Sequence, residues 1–260
     1  MADSQNHRIQ KFSFNGTFLD TWGIYGIDQG DMILPNCVAA AENGYIYDTT
    51  YGAGTARIQC FNPQTGGLIF DKAMSDTSFS PTFMCADGNG SIYVGGEISS
   101  PTSWVIQKYD LNGNYLGLQW GNTGTGNSII TTIYGMCADH SGNVLVDDMD
   151  LIKTFNGSTG LLNSVLPIPG SMGGGWSLCM DNSGLVDVTR QTAVILQLNP
   201  ISGSAIQNFG NGSGSNLGQI ETASFGSVFN TINGWLYITD EGNNRVDVYA
   251  PCGTPHLPGW

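Results

Sequence analysis

The chain has 260 residues, 37 of them glycine, and sets only eight Lys and Arg against 21 Asp and Glu, a formal charge of −13. Nucleic-acid binding draws on clustered cations that release counterions. No basic stripe is present, so nucleic acids and anionic membrane surfaces are excluded as partners. No apolar run approaches the roughly 20 residues of a membrane-spanning helix, and the polar opening Met1-Ala2-Asp3-Ser4 is not a signal peptide.

From the N-terminus, the first strong pattern is Arg8-Ile9-Gln10-Lys11-Phe12, which returns in variant form beginning at residues 57, 105, 151, 194 and 245, at spacings of 49, 48, 46, 43 and 51. A repeat of this length made of strand-like pieces points to a propeller or solenoid. Each copy is followed by an outer strand, predicted at 17–22, 68–73, 115–120, 161–166 and 205–209. Long Gly-rich connections follow four of these, at 23–36, 121–132, 167–175 and 210–224. First strands are predicted near 37–41, 83–87, 135–139, 177–181 and 227–231, and second strands near 45–48, 92–95, 143–147, 185–188 and 235–239. Short strands with turn residues between them and no helical period indicate an all-β chain. Four strands per unit is the pattern of a β-propeller blade. We therefore expect one propeller domain over residues 1–260, built of four-stranded antiparallel blades.

Six third strands but only five first and second strands are present, so the first blade is incomplete. Two closures follow: six blades with the first one partial, which we favour, or five blades with the N-terminal strands joining residues 227–249. Either way the chain reads as a fragment or processed part of a longer one. Unpaired strand edges in the first blade would favour self-association.

The unit resembles the NHL repeat of β-propeller proteins. The match is clearest at the two ends, in Asp3-Ser4-Gln5-Asn6-His7-Arg8 and in Asp240-Glu241-Gly242-Asn243-Asn244-Arg245. Between them the copies keep the strand placement and the Asp-x-x-Gly turn at Asp87, Asp139 and Asp181 but lose the Asn-Arg pair, so other contacts must replace it there. We read Asp3, Asn6, Arg8, Asp240, Asn243, Asn244 and Arg245 as a structural signature: a short side chain satisfies the turn, and the Arg reaches the Asp that ends the second strand. The resemblance implies a propeller but no single activity, since the family includes scaffolds, ligand binders and a few enzymes. Peptide-amidating lyases of this fold hold zinc with several histidines. Here His7, His140 and His256 are not placed to converge.

Cys85, Cys137 and Cys179 share one slot in three repeats, and Ala39 fills it in another, which suits a small buried residue held as a free thiol. Tyr51, Trp104 and Trp176 flank polar loops and are candidates for stacking on a sugar or gripping a protein; capping the core is the other reading. The densest acidic run, Asp147-Asp148-Met149-Asp150, makes Asp148 a candidate contact for Ca²⁺, which takes several carboxylate oxygens; a solvated loop is the other reading. No other cofactor is expected. Four Asn-Gly-Ser/Thr sequons, at Asn15, Asn89, Asn156 and Asn211, serve equally as turns or as glycan acceptors.

The acidic, Lys-poor, Gly/Ser/Thr/Asn-rich composition leans toward an extracellular or cell-surface protein. The leading expectation is a non-catalytic scaffold or binding module for a protein or glycan partner. The rival is a metal-assisted lyase or hydrolase at the channel mouth.

Overall fold

The computed structural model describes the chain apart from positions 53, 100, 171–174, 191–193, 222, 231, 251–254 and 258–260; side chains are not described at 175, 176, 209, 223–225, 230 and 255–257. Among the described residues, two single 3₁₀ turns, Ser4–Asn6 and Gly126–Ser128, are the whole helical content. The rest is 23 strands in six antiparallel sheets that follow chain order.

Sheet one has three strands, β1 (Ala2–Asp3), β2 (Arg8–Phe12) and β3 (Phe18–Trp22). Sheet two is β4 (Ile33–Ala40), β5 (Ile46–Gly52), β6 (Thr55–Phe61) and β7 (Leu68–Ala73). Sheet three is β8 (Phe79–Ala86), β9 (Ser91–Ser99), β10 (Thr102–Asp110) and β11 (Tyr115–Trp120). Sheet four is β12 (Gly135–Ala138), β13 (Asn143–Asp148), β14 (Leu151–Asn156) and β15 (Leu162–Pro167). Sheet five is β16 (Gly175–Met180), β17 (Val186–Arg190), β18 (Ile195–Leu198) and β19 (Ala205–Phe209). Sheet six is β20 (Ala223–Asn230), β21 (Trp235–Asp240), β22 (Arg245–Tyr249) and β23 (Pro255–Leu257). The N-terminal strands form their own sheet, and β23 supplies the outer strand of sheet six. The five-blade alternative, in which the N-terminal strands complete the last sheet, is thereby replaced. Pro255 is tolerated because an outer strand has one unpaired edge.

The outer strands lie within a residue of their predicted places. The inner strands β4, β8 and β20 begin about four residues before the predicted apolar runs. Their extra residues pair beyond a register shift, at Ile33/Cys37, Pro81/Phe83 and Ala223/Ser227, where a bulge breaks the alternation that marks a strand in sequence. The hairpin of β9 and β10 also runs on through polar Glu97, Ser99 and Thr102, paired by backbone alone.

The chain separates into two compact units. One is Met1–Ile130 with His140–Val144 and Asn156–Leu161; the other is Thr131–Asp139, Leu145–Phe155 and Leu162–Trp260. In the first unit, Ile9 and Trp22 of sheet one pack with Phe61, Val38, Ile46 and Leu68 of sheet two. The opposite face of sheet two places Tyr47, Ile58 and Cys60 against Phe79, Met84, Ile92 and Val105 of sheet three. In the second unit, Ile152 and Leu145 meet Leu178, Val186 and Leu198, and Cys179 and Ile195 meet Leu236, Ile238 and Tyr249.

One residue of the connection between successive sheets joins each of these cores: Met32, Met74, Ile168 and Ile220. Burying each such side chain contributes about 1.5–3 kcal/mol. The backbone N–H of each is also bonded, to Ile24 O, Ala56 O, Asp150 O and Gly212 O. Short connections place the plug directly after the outer strand. Long ones place it at the far end, closing a compact loop.

Candidate functional site

A residue at or near the end of the second strand faces the connection arriving from the previous sheet and holds it. In sheet two this is Thr50, whose Oγ1 accepts from Ile33 N at 2.8 Å and donates to Ile33 O at 3.0 Å. In sheet four it is Asp148, which accepts from Thr131 N and Thr132 N, each at 3.0 Å, and pairs with Lys153 Nζ at 2.6 Å. In sheet six Asp240 accepts from Glu221 N at 3.0 Å and from Asn243 Nδ2 at 2.6 Å, and forms an ion pair with the Arg245 guanidinium at 3.2 Å. Sheet five reverses the polarity: Arg190 donates to Gly170 O and Pro169 O. Backbone groups in buried loops need such partners.

The arginines of the signature continue this work. Arg8 Nε donates to Asp3 Oδ2 at 2.7 Å, and Asn6 Nδ2 donates to Asp3 Oδ1 at 2.9 Å. Arg245 also donates to Ser215 O, Asn216 O and Gln219 O of the incoming loop. His7 and Asn244 occupy the same place in their hairpins, and both adopt left-handed backbone, φ 56° and 52°. Arg57 belongs to the sheet in which Thr50 holds the incoming connection. It turns instead to Asp71 of the outer strand, at 2.6 Å, and reaches Ile27 O. The middle repeats thus replace the lost pair with Thr50, with Asp148–Lys153 and with Arg190.

The connection from β3 to β4 is the most elaborate surface of the first unit. Met32 is buried beneath it, and Gly23 lies at φ 91°, so close to Met32 that a Cβ would collide with its sulfur. Gly26 likewise leaves no room for a Cβ beside the Asp31 carboxylate. Asp31 Oδ2 accepts from Asp28 N at 3.1 Å, and Gly30 N donates to Asp71 Oδ2 at 2.8 Å. The loop so held presents Ile24 and Tyr25, each 68 % exposed, and Ile27, 60 % exposed. The Tyr25 ring rests against the His7 imidazole, centroids 4.8 Å apart at 55°. His7 Nδ1 accepts from the N–H of Leu34, a residue 40 % exposed and itself at φ 51°. A non-glycine residue held in that region marks local strain.

The residues singled out from sequence do not gather in one place. Tyr51 is half-buried and packs on the core between sheets two and three. Trp104 is half-buried on β10 opposite Glu97. Trp176 lies in β16, and its side chain falls outside the described residues. Asp148 is turned inward, buried and ion-paired. His7 and His140 belong to the first unit; the His256 side chain is outside the described residues, as is Cys252. Among the described residues, no three His, Cys, Asp or Glu side chains lie together as a metal set. The five described cysteines are free thiols; Cys137 and Cys179 are buried, whereas Cys85 is half-buried. Burial raises the Cys37 thiol to about 12 and the Cys60 thiol to about 11, and also raises Cys85 and Cys179 well above the ordinary thiol range.

Among the buried carboxyls that sequence reasoning missed are Asp187 and Asp48. Asp187 lies on β17 across from Gln197, which in turn lies across from Gln207. Gln197 Nε2 is shared between Asp187 Oδ1 at 3.1 Å and Asp181 Oδ2 at 3.2 Å, and Gln197 Oε1 accepts from Gln207 at 2.9 Å. Burial, and then the neighbouring Asp181 carboxylate, push Asp187 up to about 7. In sheet three the corresponding place holds Tyr93, whose hydroxyl donates to Asp87 at 2.9 Å. A protonated Asp187 can supply the donor that tyrosine supplies there. The second carboxyl is Asp48 on β5, fully buried, with no protein hydrogen-bond partner on either oxygen. Burial, then Asp71, hold it well above the usual carboxylate range. Neither carboxyl is open to a substrate.

No protein-family model matches the chain, and no curated protein does. Solved structures do. Virginiamycin B lyase from Staphylococcus aureus is similar at 12 % identity and a TM-score of 0.59, over 85 % of this chain and 68 % of that one. Glutaminyl cyclase from Myxococcus xanthus is similar at 11 % identity and 0.54, over 79 % and 84 %. The structure of U3-55K is similar at 10 % identity and 0.63, over 94 % and 71 %. At such identities the likeness establishes the fold, a β-propeller, and leaves the activity open.

Proposed function

We propose that the chain is a non-catalytic β-propeller of the NHL-repeat kind, a scaffold or binding module that recognises a protein or glycan partner through the loop between β3 and β4. The observation that carries this is the loop's construction: it is closed by a buried plug and a set of polar contacts, yet it shows Ile24, Tyr25 and Ile27 to solvent. Rigid loops that expose large apolar side chains are characteristic of binding surfaces. The sequons and the Lys-poor acidic surface support work outside the cell or in a surface assembly.

The test is affinity capture with the full chain and with an Ile24→Ser/Tyr25→Ser/Ile27→Ser variant, followed by direct binding of each purified partner. A partner held by the parent chain and released by the variant supports the reading. If every partner binds both equally, the loop is not the site. The rival reading, a metal-assisted lyase or hydrolase, has the enzymes among the structural neighbours in its favour. Stoichiometric Zn²⁺ or Ca²⁺ surviving dialysis would support that rival. Self-association through the three-stranded sheet is a separate expectation, read by light scattering.

A further inference from the structure

We propose that the patch formed by Ile24, Tyr25, Ile27 and Leu34, with the His7 ring at its base, docks a protein segment whose apolar anchors are flanked by Lys or Arg. The proposal rests on the binding role argued above and adds the chemistry of the partner.

The core does not need these side chains, because Met32 already fills the space beneath the loop. Other long connections expose single large apolar residues, Ile129 at 40 % and Leu217 at 50 %. Scattered singles are ordinary on protein surfaces. Three within four positions, with Leu34 tied by its N–H to the His7 ring that Tyr25 rests on, concentrate exposed apolar surface on this loop. The loop is already ordered by its own contacts, so a partner would not bear the cost of fixing it.

The partner's class follows from what the patch offers. Side chains two-thirds exposed protrude, whereas small-molecule sites are concave and bury most of their ligand. A sugar site needs an open aromatic face with polar side chains around it. Here Tyr25 is packed against His7 and flanked by two isoleucines, which offer no hydrogen bonds. The cations nearest the loop are committed, Arg8 to Asp3 and Arg57 to Asp71. The charges left at the rim are the carboxylates of Asp28 and Asp31, the former exposed and the latter partly so. A second copy would bring the same carboxylates and a further −13 against them. Complementarity therefore favours a basic, apolar protein segment.

The experiment pans a random 12-residue peptide library on the full chain and measures selected peptides in solution. The expected result is peptides pairing an aromatic or aliphatic residue with nearby Lys or Arg. Their binding should weaken at least about tenfold in the Ile24→Ser/Tyr25→Ser/Ile27→Ser variant, as for a central anchor. It should also weaken as salt rises from 0.05 to 0.5 M (on the order of a tenfold rise), because exposed charges are screened. Ile201→Ser, at a residue 88 % exposed in the hairpin between β18 and β19, should change nothing. An unchanged melting temperature shows that the triple variant is folded.

Failure to enrich any peptide, enrichment of acidic peptides, or equal binding to the triple variant would each overturn the proposal. Sedimentation showing a dimer that the triple variant dissolves would replace the peptide with a second copy. Glycan-array binding lost in the triple variant, without peptide binding, would leave the loop as a site and remove only this partner class. Loss of neither would remove both readings.

Discussion

Replacing Asp187 by Asn should make the protein more stable at neutral pH and flatten its response to pH. The carboxyl titrates near 7 in the folded chain and near 3.9 in an unfolded one. Between those values the native state binds the extra proton, so stability falls as pH rises. The contribution is intact below about pH 4, is lost by pH 7 to 8, and changes no further above that. A gap of that size corresponds to up to about 4 kcal/mol. Asn keeps an acceptor oxygen for Gln197 Nε2 and replaces the proton with an amide donor facing Asp181. Asp187→Asn should therefore match the parent chain at pH 4 and exceed it by up to about 4 kcal/mol at pH 8. For a chain of this size that is on the order of 10 °C in melting temperature. Asp247, raised to about 6 chiefly by burial, acts in the same sense and leaves a smaller slope in the variant. Urea denaturation at pH 4, 6 and 8 is the assay. A difference between variant and parent that does not change with pH, or a variant less stable at pH 8, would refute the reasoning.

Three further outcomes follow. Lys153→Met should cost about 3–5 kcal/mol, because it leaves Asp148 charged and buried; Arg8→Ala, in a pair with a 38 % exposed Arg side chain, should cost at most about 1 kcal/mol. Paired denaturant titrations compare the two. Asp48→Asn should stabilise the chain at pH 7 by about 1–3 kcal/mol, the scale of an unsatisfied buried polar group, by donating across the strand to Gln59 Oε1, which also lacks a partner. The folded-state value of Asp48 is raised, so this gain should shrink toward pH 4, as read by thermal melts. Cys37, Cys60, Cys85 and Cys179 should react with a thiol reagent only as fast as the chain unfolds, since burial keeps each thiol protonated. A fast native-state phase would count against it.

Much of the fold was legible because the repeat writes itself into alternating apolar residues. Leu68–Ala73, Tyr115–Trp120 and Ala205–Phe209 match their predicted bounds because each is short and opens after a Gly turn, with its register shift lying inside the strand and not beyond it. Inner strands were cut short where a bulge or a Pro interrupts the period, as at Pro35 and Pro81, since pairing across a bulge leaves no periodic trace. The signature pairs were legible at the two ends, where Asp, Asn and Arg stand at fixed offsets. They were illegible in the middle, where Thr50, Lys153 and Arg190 do the same task with different chemistry. Asp148 was read as exposed because three acidic residues in four suggest solvent. Its carboxylate faces inward only because Lys153, five residues on, and the backbone of Thr131 and Thr132 meet it there.

The loop between β3 and β4 resisted sequence reasoning for a deeper reason. Ile24, Tyr25, Ile27 and Met32 are all apolar, and a local rule would bury any of them. The selection is made by the connection as a whole. Met74 and Ile168 follow their outer strands at once and plug the core, whereas in a longer connection the plug moves toward the end, directly before β4 at Met32 and three residues before β20 at Ile220. Whatever apolar residues come before such a plug are left without a place inside. Between β3 and β4 three large ones precede it, on a loop fixed by Gly23, Asp31, Arg57 and His7. Length decides which side chain is core, and the surplus is left at the surface.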